Sequence, residues 1–497
     1  MSQPTRAEWE ARAKTLQIEG RAFIQGEYLA SASGETFDCI SPVDGRLLAK
    51  VASCDAADAE RAVQSARATF DSGIWSREAP ATRKAVMIRF AALLEEHAEE
   101  LALLETLDMG KPIGDSLNVD LPGAADSLRW SGEAIDKVYD EVAATSHDQL
   151  GLVTREPVGV VAAIVPWNFP LMMAAWKLGP ALATGNSVIL KPSERSPLTA
   201  IRIAQLAIEA GLPAGVLNVL PGYGHTVGKA LALHMDVDTA VFTGSTKIAK
   251  QLMVYAGESN MKRVWLEAGG KSPNIVFEDA PDLQAAAEAA AAAIAFNQGE
   301  VCTAGSRLLV QKSIKAKFLP LVVEALKGWK AGHPLDPDTN VGALVDGRQL
   351  EQVLGYIQAG QDEGAKILTG GKRVLEETGG TYVEPTLFDG VSNAMKIARE
   401  EIFGPVLSVI EFEDAEEAIR IANDTPYGLA AAVWTRDISK AHLTARALRA
   451  GSVWVNMYDG GDMTAPFGGF KQSGNGRDKS LHAFDKYTEL KATWIKL

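Results

Sequence analysis

The feature that most narrows the fold is a train of short β-prone runs that begins at residue 158, with helical segments between most of them. Runs at 158–165, 187–190, 216–220, 239–242 and 263–267 start 20 to 30 residues apart, which is the spacing of strand–helix–strand units. Parallel strands need crossover helices, so a doubly wound parallel sheet is the economical reading. Between the second and third runs, Ile201, Ala204 and Ile208 share one helical face, and Gly211 with Pro213 supplies the stop. A second αβ series starts near Lys271, with an Ala-rich helix at 282–295, a strand at 308–311, a helix from Ile314 and strands at 406–412 and 452–456. Upstream, the pattern predicts a short extended region and amphipathic helices around 57–70 and 82–108. Segments 138–156 and 488–497 are β-prone and fit neither sheet. A strand left unpaired at a chain end is a liability unless another sheet or subunit takes it, which points to assembly.

Composition excludes several functions. The 497 residues, 47% apolar and 23% charged, describe an ordinary globular protein, with room for about three domains at roughly 150 residues each. A formal net charge of −14 repels phosphate backbones and anionic lipid, so nucleic acid is not an expected partner. Three scattered cysteines, Cys39, Cys54 and Cys302, give no disulfide framework and no Cys-rich metal site, and fit a reducing, cytoplasmic setting. The N-terminal residues mix charges of both signs and do not form a secretory signal. Residues 157–176 carry no charge, yet Pro157, Pro166, Asn168 and Pro170 interrupt them, as in a buried strand followed by a loop and unlike a membrane span.

Ligands of a doubly wound sheet bind at the carboxyl ends of its strands. The second run ends in Lys191-Pro192-Ser193-Glu194, where an ammonium and a carboxylate can bind the ribose hydroxyls of a nucleotide or simply form a solvated ion pair on a turn. After the third run, Gly222, Gly224 and Gly228 carry one residue too many for the dinucleotide fingerprint GxGxxG. The fourth run passes into Thr243-Gly244-Ser245-Thr246, which can admit a phosphate at a helix N-terminus or merely cap that helix. Cys302 lies between Gly299 and Gly305 in a polar loop, and a nucleophile needs such access, whereas a lone cysteine is more commonly a packing residue. Glu267 ends an apolar strand, as a general base with a raised pKa or a paired structural charge would. Asn168 offers a neutral NH2 donor for an oxyanion.

Seven motifs in order, PWNFP at 166–170, KPSE at 191–194, FTGST at 242–246, LEAGGKSP at 266–273, FNQGEVCTAGSR at 296–307, EEIFGPV at 400–406 and PFGGFKQSGNGR at 466–477, resemble the aldehyde dehydrogenase superfamily. The C-terminal stretch is most similar to the γ-glutamyl-γ-aminobutyraldehyde dehydrogenases of bacterial polyamine breakdown. The resemblance implies an α/β architecture with a Rossmann-like parallel-sheet NAD-binding domain (1–137 and 157–270), a second α/β catalytic domain (271–477) and a small β oligomerisation arm (138–156 and 478–497). It makes Cys302 the nucleophile, Glu267 the base that activates the deacylating water, and Asn168 part of the oxyanion hole. It assigns Trp167, Lys191, Ser193, Glu194, Gly224, Gly244, Ser245, Glu401 and Phe403 to NAD, with NADP possible, and Asp120, Phe169 and Trp176 to the substrate, with Asp120 at the funnel mouth. No metal is implied. Asp478 stands where many relatives carry Glu, and Gly460 and Gly461 stand where many carry a bulky wall, which implies a wider, more polar funnel.

The implied function is NAD(P)-dependent oxidation of a small-molecule aldehyde, specifically an aminoaldehyde, by a homodimer or homotetramer without nucleic-acid or membrane partners. A broad-specificity aliphatic or betaine-type enzyme is the alternative, and a catalytically silent binding protein on the same fold a remote one. Glu194 would accept from a ribose 2′-OH and repel a 2′-phosphate, which favours NAD.

Overall fold

The structure is a computed structural model that describes residues 4–497. Its first sheet has seven strands: β1 (Ala22–Ile24), β2 (Glu27–Leu29), β3 (Val160–Ile164), β4 (Ser187–Lys191), β5 (Leu217–Val219), β6 (Thr239–Gly244) and β7 (Arg263–Ala268). Their order is β7-β6-β3-β4-β5-β1-β2. Strands β3 to β7 are parallel and match the five runs expected from the sequence. The edge departs from a purely parallel sheet, because the hairpin β1–β2 joins antiparallel through Phe23 opposite Val219. Three-residue strands are too short to show a period of two, so nothing in the sequence distinguished this edge from extended chain.

The second sheet contains β8 (Pro273–Val276), β9 (Arg307–Gln311), β10 (Lys366–Thr369), β11 (Thr386–Asp389), β12 (Val406–Phe412), β13 (Ala430–Trp434) and β14 (Ser452–Val455), ordered β10-β11-β12-β9-β8-β13-β14. Only β10 runs antiparallel. Both sheets are buried on both faces, which explains why β3 and β13 read as continuous apolar runs without alternation.

The helices that position the site are α1 (Pro170–Ala183), α2 (Leu198–Glu209), α3 (Thr246–Glu258) and α4 (Leu283–Ala295). Ser245 caps α3 by accepting from the Ile248 N–H at 3.4 Å, and Asp282 caps α4 through the N–H groups of Gln284 and Ala285. The single helix expected over 82–108 is two, Pro80–Glu96 and Ala98–Met109, broken where His97 leaves helical geometry at φ −102°, ψ 23°. Residues 157–176 form β3, a loop and the start of α1, and among the described residues no helix is long and apolar enough to cross a membrane.

The two orphan segments meet each other. The terminal strand Thr488–Lys496 runs antiparallel along Gln149–Pro157, which also pairs with Glu141–Ala143. The chain end is therefore not an unpaired strand, as its sequence suggested, although its outer edge stays free.

Helix α4 approaches its neighbours closely because Ala286, Ala287, Ala290 and Ala291 have no exposed surface. A larger side chain there has no space to enter. Ala290→Leu is expected to lower unfolding free energy by about 1–3 kcal/mol through overpacking, read as a lower urea midpoint at unchanged m-value.

Candidate active site

Helix α4 ends in an unusual turn. Asn297, Gln298 and Gly299 all adopt left-handed backbone, with φ of +48°, +56° and +70°, and two of the three are residues that pay a steric penalty there. Buried hydrogen bonds hold the strain. Gln298 Oε1 accepts from the Gly342 N–H at 2.9 Å, and Asn297 Nδ2 donates to the carbonyls of Asn168 at 3.1 Å and Glu300 at 3.2 Å. The turn delivers Cys302 to the wall of a cavity of about 970 Å³. Asn168 reaches the same wall from the loop between β3 and α1, and its Nδ2 donates one hydrogen to the Glu300 carbonyl at 2.8 Å. The second hydrogen of that amide has no protein acceptor. Burial pushes the Cys302 thiol well above its ordinary value, and the nearby carboxyls of Glu401, Asp459 and Glu267 push it further.

Glu267 lies near the end of β7, is 3% exposed, and neither carboxyl oxygen has a hydrogen-bond partner. Burial first, and the charge of Asp478 second, hold this carboxyl well above the usual range, against the pull of Lys177, Lys486 and Arg477. A side chain at Gly468 would bring its Cβ within 2.7 Å of Glu267 Oε1, so glycine there leaves the carboxyl its space. Behind Glu267, Asp478 is clamped between the buried ammonium groups of Lys177 and Lys486. Burial alone would raise the Asp478 carboxyl, but the two lysines hold it below its ordinary value. Asp478 is thus a poor proton acceptor, whereas Glu267 is a good one once ionised.

On the opposite side, Trp167 meets Phe403 edge to face at 5.0 Å, and the Arg195 guanidinium sits 5.4 Å above Trp167. Phe403 is held at φ +57°. Glu401 accepts from the Gly270 N–H at 3.1 Å, and a Cβ on Gly269 would fall 1.9 Å from Glu401 Oε2, so the carboxylate and this backbone coexist only with glycine. Burial pushes the Glu401 carboxyl up to about 7.

Of the residues singled out in the sequence, Cys302, Glu267, Asn168, Trp167, Phe169, Trp176, Gly244, Ser245, Glu401 and Phe403 line this one cavity. Lys191, Ser193, Glu194 and Gly224 lie outside its lining: Lys191 and Glu194 pair at 3.3 Å at the end of β4, Ser193 accepts from the Arg195 N–H at 3.2 Å, and Gly224 begins the single turn Gly224–Gly228 with open space where a Cβ would stand. Asp120 requires a correction. It is 1% exposed, bonded to the buried ammonium of Lys111, which also lies 3.5 Å from Glu105, while its neighbour Val119 faces the cavity. It is neither a solvated helix acid nor a carboxylate at the funnel mouth. A one-turn bulge over Ser116–Asp120 rotates it inward. Gly461 has open space where a side chain would stand, and at Gly460 a Cβ would meet only the far end of the exposed, flexible Met457 side chain.

The sequence reading gave no role in the cavity to Arg195, Gln349, Asp459, Asp462 and Lys479, which also line it, as does Thr243 of the FTGST motif. Asp459, Asp462 and Lys479 come from loops after β14, where no periodicity marks them.

Two α/β sheets sharing a cavity at their strand ends define a dehydrogenase architecture. The chain belongs to the aldehyde dehydrogenase family, whose pattern it matches over residues 28–493, and it is an oxidoreductase that acts on aldehydes. The NADP/NAD-dependent aldehyde dehydrogenase PuuC of Escherichia coli (strain K12) is 58% identical over 99% of this chain and 98% of its own length. A variant of the indole-3-acetaldehyde dehydrogenase AldA of P. syringae, solved in complex with NAD+ and IAA, is 83% identical with a TM-score of 0.99, and both chains are covered in full, 100% each. The gamma-glutamyl-gamma-aminobutyraldehyde dehydrogenase of Burkholderia cenocepacia is 64% identical with a TM-score of 0.98, covering 99% of this chain and 100% of the other.

A thiol held above its ordinary value ionises late. Alkylation of Cys302 by iodoacetamide in the free enzyme should still be accelerating beyond pH 9, where an ordinary thiol of pKa about 8.5 is already mostly ionised. A rate that levels off near pH 8 would contradict the electrostatics described above.

Proposed function

We propose that this enzyme oxidises an aminoaldehyde, with γ-glutamyl-γ-aminobutyraldehyde the leading candidate, to its carboxylic acid. The observation that carries the chemistry is the presence on one cavity wall of Cys302, the free amide hydrogen of Asn168 and the partnerless carboxyl of Glu267. The relative from Burkholderia cenocepacia and the open space at Gly461 support the substrate.

The far side of the cavity fits a nicotinamide dinucleotide. Thr243 Oγ1 is buried without a partner, Gly244 and Ser245 present backbone at the N-terminus of α3, and Trp167 with Phe403 walls a slot beside Glu401. Lys191 and Glu194 are proposed to hold the adenosine ribose, with Ser193 and Gly224 close by, and NAD to be preferred over NADP. When bound, the cofactor accepts the hydride that leaves the substrate carbon.

The chain's own residues do the rest. Cys302 gives up its proton to solvent and attacks the aldehyde carbon as thiolate, and the oxyanion that develops takes the free hydrogen of Asn168 Nδ2 and the Cys302 backbone N–H. Loss of hydride leaves a thioester on Cys302. Glu267 then takes a proton from water, whose oxygen attacks the thioester and releases the acid and the thiol. Phe169 and Trp176 wall the substrate side.

A second reading is an arylacetaldehyde substrate. Phe169, Phe296, Trp176 and Phe467 ring the substrate side, with Trp176 meeting Phe467 edge to face at 5.1 Å, and the relative from P. syringae is an indole-3-acetaldehyde dehydrogenase. Comparing kcat/KM for γ-glutamyl-γ-aminobutyraldehyde and indole-3-acetaldehyde decides between them. The first should exceed the second, and the reverse order would transfer the assignment to the aryl substrate.

We further propose a homodimer or homotetramer built on the three-stranded arm, working in the cytoplasm. The terminal strand leaves Leu490 61% and Trp494 64% exposed beside a free edge, and light scattering should read a multiple of 53.0 kDa.

The raised carboxyl of Glu267 sets a pH dependence. It is protonated and inactive as a base at low pH and gains its function as pH rises, so deacylation should speed up with pH over a range above that of an ordinary carboxylate. Glu267→Gln removes that rise and should give a burst of reduced cofactor with steady-state turnover down by about 10²-fold or more. Normal steady-state turnover in this variant would overturn the assignment.

A further inference from the structure

The reaction does not use Asp459, Asp462 and Lys479, three charged residues of the cavity wall. None of them has an ion-pair partner within 4.0 Å among the described residues. Asp462 accepts from the Thr464 N–H at 2.8 Å and the Thr464 hydroxyl at 2.6 Å through one oxygen, Oδ1, which orients the carboxylate and leaves its other oxygen free. Lys479 lies with its ammonium 5.4 Å above the Trp176 ring. Lys111, Lys177 and Lys486, by contrast, are buried and each is paired closely with a carboxylate.

The backbone invests in these positions. Asp459 sits at φ +54° and Lys479 at φ +59°, left-handed conformations that aspartate tolerates and lysine adopts only with strain. Both are clamped from outside. Tyr458 donates its hydroxyl to the Thr303 carbonyl at 2.6 Å, and Trp454 Nε1 donates to the Gly460 carbonyl at 2.7 Å, so Asp459 is fixed between two anchored neighbours. Lys479 follows Asp478, whose backbone exchanges two bonds of 2.7 Å with Phe467. Gly461, at φ +133°, has open space where any side chain would stand.

We propose that Lys479, Asp459 and Asp462 form an end-recognition subsite for an aldehyde that terminates in an amino acid, the ammonium of Lys479 receiving the α-carboxylate and the aspartates receiving the α-ammonium. The inference rests on the aminoaldehyde reading and deepens it. An uncharged aryl tail gains nothing from three unpaired charges, a bare ammonium tail meets Lys479, and a bare carboxylate tail meets two aspartates. Only a tail of both signs complements all three.

The test measures kcat/KM with γ-glutamyl-γ-aminobutyraldehyde and with its analogues lacking the α-carboxylate, the α-ammonium or both, alongside indole-3-acetaldehyde. Wild type should prefer the intact zwitterion by roughly tenfold over either singly truncated analogue. Lys479→Gln should erase the preference for the α-carboxylate and keep that for the α-ammonium. Asp462→Asn should do the opposite, and Lys479→Glu should turn the preference toward the analogue that has only the ammonium. Unchanged substrate ratios in these variants, or an equal fall for all substrates, would overturn the subsite while the aminoaldehyde reading stands. Indifference of wild type to both groups, with faster oxidation of indole-3-acetaldehyde, would instead remove the reading beneath it. Asp459→Asn tests the same ammonium preference independently, should Asp462→Asn fold poorly.

Discussion

The cavity is governed by the desolvation of ionisable groups at the strand ends of two sheets. Withdrawal from water disfavours every charged form, and the carboxyls of Glu267 and Glu401 and the thiol of Cys302 all move toward neutrality for that reason. They also reinforce one another, because each added negative charge would repel the rest. Two ammonium groups close enough to relieve Glu267 are committed to Asp478 instead. That allocation keeps Asp478 ionised and leaves Glu267 without a partner, which is the condition under which a carboxyl has both a raised pKa and free lone pairs for water. Removing either lysine would therefore shift the proton balance of the base without touching it.

The nucleophile depends on contacts made far away in sequence. Three successive left-handed residues would not persist on local preference alone, so the turn before Cys302 is maintained by Gln298 holding the Gly342 N–H and by Asn297 holding the Asn168 carbonyl. The Glu300 carbonyl receives both Asn297 and Asn168. One carbonyl thus couples the placement of the thiol to that of the amide hydrogen that faces the oxyanion, and a shift of either strains the other. The alanine face of α4 serves the same end, because a helix without bulk can bring its C-terminus close to the β3–α1 loop.

Much of this was legible in the sequence, for definite reasons. The five parallel strands of the first sheet are mostly buried, apolar and separated by helices, and hydrophobic patterning reports that directly. Cys302, Glu267 and Asn168 could be isolated because each is a reactive or polar residue in an apolar or glycine-rich setting. What escaped was decided by tertiary geometry. The β1–β2 edge and β8 are too short to show a period, the break at His97 leaves no proline or glycine as a mark, and the terminal strand's partner lies more than 300 positions upstream. Lys479 and Asp462 sit in loops whose composition resembles any other polar loop.

Asp120 shows why residue type near a motif is a weak guide to selectivity. An acid was expected at the mouth of the funnel, and the chain does place acids there, but at Asp459 and Asp462. Asp120 faces inward to bond Lys111, whose ammonium lies 4.1 Å from the Phe169 ring, while Glu105 accepts the Leu171 N–H at 3.1 Å. Those groups brace the wall that carries Phe169 and the start of α1. A carboxylate already bonded to a buried cation has no field left to offer a passing substrate, because its partner cancels it at short range and no solvent path leads to it. Asp459 and Asp462 line the cavity without an ion-pair partner among the described residues. Whether a charge reads a ligand depends less on its distance from the nucleophile than on whether the protein has already neutralised it.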